Sequence, residues 1–464
     1  MDASNGNDNY DGLSPSAAWK TIAKVNNSSF DPGDQILLKR GETWREQLVV
    51  PSSGSAASPI TFGAYESGNN PIIKGSDIPT SGDDALQILI RNKSYVTIQD
   101  LDVRNAWLDG IHIDALWNMD VTDIVIRRCT VSLAGSHGIA VSNWANTDSD
   151  HPIKNILIDS NTVYQNRKHG IVMGRLVANS TISRNTVYEN ASNSPAGYHG
   201  ISTWGPNSIC RPMNIIIEYN EVYRTFLREN EGTGIQLDNH TESSIVRYNI
   251  SHDNEGAGFV SNETKSCEFY YNISYRNGTA GTQGGLAAWD STDLKIYNNI
   301  FYDNKPNGMY FAGNSSDVLV KNNILSGNNV YEIVLYGPVT RNYDGDYNLV
   351  YHSAGGKFMN WDGSVCGWAD WKLISSQDSN SINSNPFFTD AGNDDFTLQA
   401  GSPARDAGID LGTSYDHALW KTSSWPAAVV TKDQDNFGSG WEIGAYIYGG
   451  DVEGPNPPTG LVIM

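Results

Sequence analysis

A unit made of a β-branched strand, an asparagine, an apolar pair, a polar turn, a glycine and a second apolar strand recurs from about residue 94. Its recurrence predicts an all-β protein wound as a parallel β-helix solenoid. The unit reads NILIDSNTVYQNRKHGIVMG, later NIIIEYNEVYRTFLRENEGTGIQLD, and later again DLKIYNNIFYDNKPNGMYFAG. Apolar and polar residues alternate with period two inside it, the pattern of strands with one buried face. A helical solenoid would need apolar residues three and four apart over roughly ten positions, and no unit has them. Composition agrees, since 45 Gly, 23 Tyr and 13 Trp with 18% charged residues is the profile of a turn-rich β protein.

Four regions follow in order. Residues 1–93, with AAWKTIAKV as a short helix, supply an N-terminal cap and the first irregular rungs. An open coil exposes unpaired backbone and core, so a cap is required at each end. Residues 94–350 are the regular rungs. Residues 351–450, with NPFFTDAGNDDFTLQAGSPARDAG and WEIGAYIYGG, form an irregular C-terminal cap packed on the helix. Residues 451–464, GDVEGPNPPTGLVIM in part, read as a Pro/Gly linker to a further C-terminal module.

Asn161, Asn185, Asn220, Asn249, Asn272, Asn299, Asn323 and Asn348 fall in step at intervals of 23 to 35 residues, the variation lying in the turns. Stacking tolerates insertions at a corner, so variable loops between constant strands are what a solenoid produces. With coils about 4.8 Å apart, this column forms an internal amide ladder at a tight corner. Leu101 and Cys129 fill the same column in two earlier coils, which supports inward packing there.

A second column carries chemistry. Aligning the coils on their Gly-Ile step places Asp109, His137, His169 and His199 one above another, followed by Thr233, Ala257 and Asn307. In the next strand Ile111, Ile139, Ile171, Ile201 and Ile235 point inward. His112, Asp114, Ser142, Trp204, Gln236 and Asp238 point outward, and Arg167, Lys168, Tyr198, Glu229 and Glu231 precede the step. Residues some 30 apart in sequence thereby become neighbours about 5 Å apart. Such a groove suits a linear glycan, with Trp144, Trp204 and Trp289 to stack on sugar rings. Protonatable groups on adjacent coils depress one another's charge, so a neutral imidazole is expected in the column.

The start DASNGNDNYDGLSPSAAWKTIAKVN, the coil pattern and the terminal GSPARDAGID…IGAYIYGG resemble the secreted right-handed parallel β-helix proteins that act on polysaccharides. That group contains pectate and alginate lyases, mannuronan C5-epimerases and glycoside hydrolases, and the resemblance covers nearly the whole chain. The RKHG step is similar to a basic-His-Gly step on the catalytic face of mannuronan epimerases, which maps onto Lys168, His169 and Gly170. Two coils earlier those epimerases carry Asp-Pro-His, where this chain reads GIHIDAL, with His112 and Asp114 in swapped order and no proline.

Three functions are in competition. The leading expectation is a polysaccharide lyase or C5-epimerase acting on uronates. Arg167 or Lys168 would pair with the substrate carboxylate, and His169 or His137 would take the α-proton. Tyr198 or His199 would protonate the leaving oxygen, and Ca²⁺ held by Asp109 and Asp114 would assist. The alternative is a glycoside hydrolase using two carboxylates, Asp238 with Glu263 or Glu231 with Glu255. Asp238 is favoured by its place on a strand near Trp204 and His240. In either enzyme Arg167, Trp204, Trp289, Gln236, His240 and Glu231 would bind substrate; in the third reading, a non-catalytic solenoid, Trp and His merely line a glycan-binding groove.

A net charge of −21 with no basic stripe argues against nucleic acid. The chain contains no run of about 18 apolar residues, so no membrane span is expected. Cys129, Cys210, Cys267 and Cys366 lack metal-ligand spacing and read as buried thiols. The opening MDASNGNDNYDG reads like a mature N-terminus behind a start codon, and a secreted monomer is expected.

Overall fold

Each coil of the chain lays down three short strands, and successive coils stack them into three parallel sheets of twelve parallel strands each. The computed structural model describes residues 1–450 except 76–81, 117–118, 144–150, 193–196, 228–230, 281–283, 338–341 and 353–357. The first sheet runs from Gln35–Lys39 to Tyr343–Asp346 and the second from Thr43–Trp44 to Leu349–Tyr351. The third runs from Leu48–Val49 to Met359–Trp361, where Ser364–Cys366 adds an antiparallel edge. The stack therefore begins near residue 35, and the first coils, expected within residues 1–93 as irregular rungs, pair in register with the later ones.

The corner between the first and second sheets explains the asparagine column. Ser160, Arg184, Tyr219, Tyr248, Tyr271, Asn298, Asn322 and Tyr347 each precede a ladder asparagine and hold φ between +53° and +60°. This left-handed turn costs a non-glycine residue about 1 to 2 kcal/mol. The asparagine after it offsets that cost. Each Oδ1 accepts the backbone N–H of the asparagine one coil below at 2.9–3.0 Å and its Nδ2–H at 3.0–3.1 Å. Cys129 N–H enters the ladder by donating to Asn161, and Leu101 and Cys129 are buried below it.

A second ladder escapes the sequence reading. Asn166, Asn190, Asn254, Asn277, Asn304 and Asn328 stack at the next corner, interrupted by Thr225. The buried Glu332 closes it by accepting from Asn328 N–H at 3.1 Å and from its Nδ2–H. Every member lies five residues after a member of the first ladder, a spacing that is visible in the sequence.

The inward column Ile111, Ile139, Ile171, Ile201, Ile235, Phe259, Leu286 and Met309 is buried from end to end. At about 1.5–3 kcal/mol for each such side chain, these columns hold the coils together. Ile22 and Val25 of the helix Ile22–Asn26 cover one end of the core. Trp371 of the helix Trp368–Ser375 covers the other, its indole N–H donated to Asp378 at 2.8 Å. The C-terminal cap lies across the first and second sheets. Trp425 donates to the Tyr248 carbonyl at 2.7 Å, and the Tyr248 hydroxyl donates to that of His417 at 2.7 Å. All four cysteines are buried thiols outside any disulfide. No helix among the described residues is long and apolar enough to cross a membrane. The linker expected at 451–464 lies outside the described residues.

Candidate active site

Glycine is required after each histidine of the second column because the coils touch there. A Cβ on Gly138 would meet the Gly170 carbonyl oxygen at 2.6 Å, and one on Gly170 would meet that of Gly200 at 2.7 Å. With this step in register, His137 and His169 stack at 5.1 Å with planes 10° apart, and His169 and His199 lie 5.2 Å apart. The ring of Tyr198 stands edge-on to His169 at 4.8 Å and to His137 at 5.9 Å. Lys168 holds its ammonium 5.3 Å from the Tyr198 ring.

Burial keeps all three imidazoles neutral. It is the leading cause that lowers His137 to about 4 and His199 to about 3, with the Lys168 charge adding to it at His137. His169 is also pulled well below the ordinary value, by burial and then by His137 and His199. Its Nδ1 accepts the His199 backbone N–H at 3.0 Å, so the neutral ring carries its proton on Nε2. Towards the cleft His169 is therefore a hydrogen-bond donor. The Nδ1 atoms of His137 and His199 are buried without a hydrogen-bond partner.

Below the histidines lies a buried charge network. His112 donates Nδ1–H to Asp109 at 2.8 Å, and its Nε2 lies 3.5 Å from Asp114. Arg91 grips Asp114 through Nε and Nη2 at 2.8 Å each and also binds Asp83. Burial opposes the charge on His112, but the bonds to Asp109 and Asp114 outweigh it and raise the imidazole to about 9. Burial would likewise raise both carboxyls, yet His112 holds Asp109 well below the carboxylate range, and His112 with Arg91 lowers Asp114. The other Asp109 oxygen accepts the His137 N–H at 2.9 Å, anchoring the base of the column. His112 and Asp114, expected on the open face, are covered there. Asp109 and Asp114 do not suit Ca²⁺, because the His112 imidazolium already lies between their oxygens and the Arg91 guanidinium occupies both oxygens of Asp114. Among the described residues no group of three or more His, Cys, Asp or Glu is disposed to hold a metal ion.

The column forms one wall of a cleft of about 320 Å³ lined by Asp109, His137, Lys168, His169, Tyr198, His199, Trp204, Glu231 and Asp238. Ser142 of the outward set completes the lining with Ala140, Val172, Gly174 and Gly197, which the sequence reading did not single out. Asp238 accepts from Asn262 Nδ2 at 2.8 Å. Burial raises its carboxyl above the usual range despite the bonds from Asn262 and Gln236. Glu231, with its side chain 45% exposed, places Oε2 3.5 Å from His199 Nε2.

Other candidates fall outside the cleft lining. Arg167 is exposed at the corner, and His240 lies past the strand with Nε2 3.9 Å from Glu263. Glu255 accepts the Leu227 N–H at 2.6 Å and is tied to its turn. Trp289 lies two coils beyond Asp238 in the same outward column and packs against Tyr310. Trp144 and Glu229 lie outside the described residues. A separate cavity of about 380 Å³ between the N-terminal segment and the first coil is lined by Trp19, Phe30 and Tyr65 among others, with none of the histidines.

A family model described as the Pel9A-like right handed beta helix region matches residues 2–291. The uncharacterized protein YwoF of Bacillus subtilis is 26% identical over 439 residues, 86% of this chain and 91% of that one. A lacto-N-biosidase of Bifidobacterium longum subsp. longum is 28% identical over 127 residues, 23% of this chain and only 8% of that relative's length. Among solved structures, the pectate lyase Pel9A aligns with a TM-score of 0.51 at 14% identity, covering 97% of this chain and 95% of that one.

Proposed function

For a chain that belongs to the Pel9A-like right-handed β-helix family, a carbohydrate-active enzyme family, we propose hydrolysis of a neutral glycan with Asp238 as the general acid. The observation that carries this reading is the pairing in one cleft of a buried carboxyl with a raised pKa and a second, half-exposed carboxyl. Glycoside hydrolysis needs one carboxyl that keeps its proton for the leaving oxygen and another that is ionised to assist the attacking group. Asp238 suits the first role and Glu231 the second. The bond from the sugar carbon to the bridging oxygen breaks as water adds its hydroxyl to that carbon; the remaining water proton passes to Glu231, and the proton of Asp238 goes to the departing oxygen.

Charge favours an uncharged substrate. Among the described residues that line the cleft, Lys168 is the one fixed cation and is balanced by the Glu231 carboxylate, since Asp238 keeps its proton and Asp109 is already paired with His112. The neutral histidines offer hydrogen bonds to sugar hydroxyls and no countercharge. Trp204 supplies an aromatic face for a pyranose ring. Asp109, held by His112, acts through the column it anchors.

Uronate elimination is the second reading, favoured by the meeting of Lys168, Tyr198 and His169 in one corner. It needs a proton acceptor, and His169 presents its protonated nitrogen to the cleft. A panel of neutral and uronate polysaccharides separates the two. Hydrolysis liberates reducing ends without the ultraviolet absorbance of an unsaturated uronate. Appearance of that absorbance, with a neutral panel left intact, would replace the hydrolytic reading by the eliminative one. A chelator is expected to leave the rate unchanged. Polymeric glycans are met outside the cell, and secretion is proposed on that ground.

A further inference from the structure

The outer face of the third sheet continues past the cleft, and its composition changes there. In the column that holds Trp204 and Asp238, the next coils place Asn262, Trp289, Ala312 and Tyr336. In the neighbouring outward column Gln236 is followed by Val260, Ala287, Tyr310 and Val334. Val260 and Ala287 are buried together with Ala257, and Trp289 and Tyr310 pack over them. A shelf of small aliphatic residues thus carries three half-buried aromatic rings, with Tyr310 5.7 Å from Trp289 and 6.0 Å from Tyr336.

Ring orientation separates this group from a structural ladder. On the second sheet Tyr188 and Tyr223 lie 6° from parallel, each face covered by its neighbour. On the shelf the planes are tilted by 50° and 59°, so no ring lies face to face on the next, and all three side chains are partly exposed. Ala312 stands between Trp289 and Tyr336 and holds their side chains apart where a larger residue would fill the gap. The Tyr336 hydroxyl is fixed by Asn360 Nδ2 at 2.9 Å, so the ring is positioned from behind. Among the described residues, the apolar side chains of 382–448 that cover the first and second sheets cluster with none of these three rings.

We infer that Trp289, Tyr310 and Tyr336 form a distal subsite that stacks on the sugar rings of a neutral oligosaccharide whose reactive bond lies in the cleft. This rests on the hydrolytic reading of that cleft. The surface is continuous with it, and Asn262 joins the two by binding both Asp238 and Asn239. Stacking on uncharged pyranose faces needs aromatic planes and no countercharge, and none of the shelf side chains named above is ionic. Two coils separate Asp238 from Trp289 and four separate it from Tyr336, about 10 and 19 Å at the strand spacing. The ligand is therefore a linear chain of several sugars running along the helix axis, and a disaccharide is too short to span it.

The test uses the full chain with Asp238→Asn, which removes turnover, and follows tryptophan fluorescence with xylo-, cello- and manno-oligosaccharides of two to six units. At least one hexaose is expected to bind about tenfold or more tightly than its disaccharide. Trp289→Ala, and separately Ala312→Gln, which fills the gap without removing a ring, should each abolish that preference. Equal affinity for all lengths, no binding of any hexaose, or a preference that survives both substitutions would overturn the inference. Length-dependent binding through Trp289 with no hydrolysis by the unmodified protein would sustain the shelf and remove the hydrolytic reading instead.

Discussion

Rings climb this helix in more than one column, and two of those columns differ in what they border. On the second sheet Tyr164, Tyr188, Tyr223, His252 and Tyr275 stack at 4.9 to 5.1 Å, within 11° of parallel. At the entrance to the third sheet His137, His169 and His199 stack at nearly the same spacing. Register alone therefore creates stacks and does not make them reactive. The first column is closed by its surroundings. Arg224 and Arg276 lie over its rings, Arg276 is bound by Asp253 and Asp394, and Phe396 of the C-terminal cap covers Tyr275. The second borders small side chains and three carboxyl groups, and two of its ring nitrogens are buried without a hydrogen-bond partner, against one, His252 Nε2, in the first. Unsatisfied buried nitrogens cost stability, and such groups in a cleft mark function more often than packing.

This contrast can be broken or sharpened by substitution. The largest effect is expected for Asp238→Asn, which should lower turnover on a natural glycan by about 10² to 10⁴-fold, the range of a lost general acid. Urea unfolding should show little change for that variant. The reverse holds inside the helix. Asn249→Leu leaves both Asn220 donors without that acceptor and removes the Nδ2 donor to Asn272, while the backbone N–H bond to Asn272 stays. At about 1–3 kcal/mol for each buried polar group left unpaired, the denaturation midpoint should fall sharply with the product profile unchanged.

Smaller effects should separate the two ring columns. His169→Ala should reduce kcat/KM by about tenfold or more, as expected for lost hydrogen bonding to the substrate. Tyr188→Ala should leave kcat/KM unchanged and cost about 1 kcal/mol of stability, the scale of cross-strand pairs. If Tyr188→Ala impaired turnover as much as His169→Ala, the distinction between the columns would fail.

Acidity gives the mildest test. His137 and His199 are held neutral with pKa values lowered to about 4 and about 3. Unfolded histidines take up protons near 6.5, so stability should fall below that pH by about 1.4 kcal/mol per unit for each. The fall should continue until the folded values are passed. His112 is raised to about 9, so its contribution is complete below about 6.5 and is lost as pH rises through 9. These three histidines together should therefore place the maximum of melting temperature near pH 6.5. Replacing His112 by Gln should flatten the alkaline side.

Most of the fold was legible in the sequence because stacking turns a spatial column into a periodic letter. The ladder from Asn161 to Asn348 and the His-Gly steps were read directly. The second ladder obeys an equally strict rule, five residues after the first, but Thr225 breaks it and turn-like surroundings such as DNEG and RNGT disguise it. At the site, register was enough to gather His137, His169, His199, Trp204, Glu231 and Asp238. It could not tell which outward residues are covered. His112 and Asp114 share a face with Trp204, yet Arg91 from the coil below pairs with Asp114 and the cluster becomes an internal salt network. Arg167 and His240 stand at corners, where side-chain direction follows loop geometry and not strand alternation, so the cleft passes them by.

General acid catalysis by Asp238 is tested most directly by changing how much the leaving group needs a proton. The Asp238→Asn variant should be assayed on the natural glycan and on an aryl glycoside of the same sugar bearing a strongly acidic phenol. The expected result is a large loss on the glycan and near-normal bond cleavage with the aryl glycoside, whose phenolate departs unprotonated. Equal losses on both substrates, or no loss on either, would contradict the role assigned to Asp238.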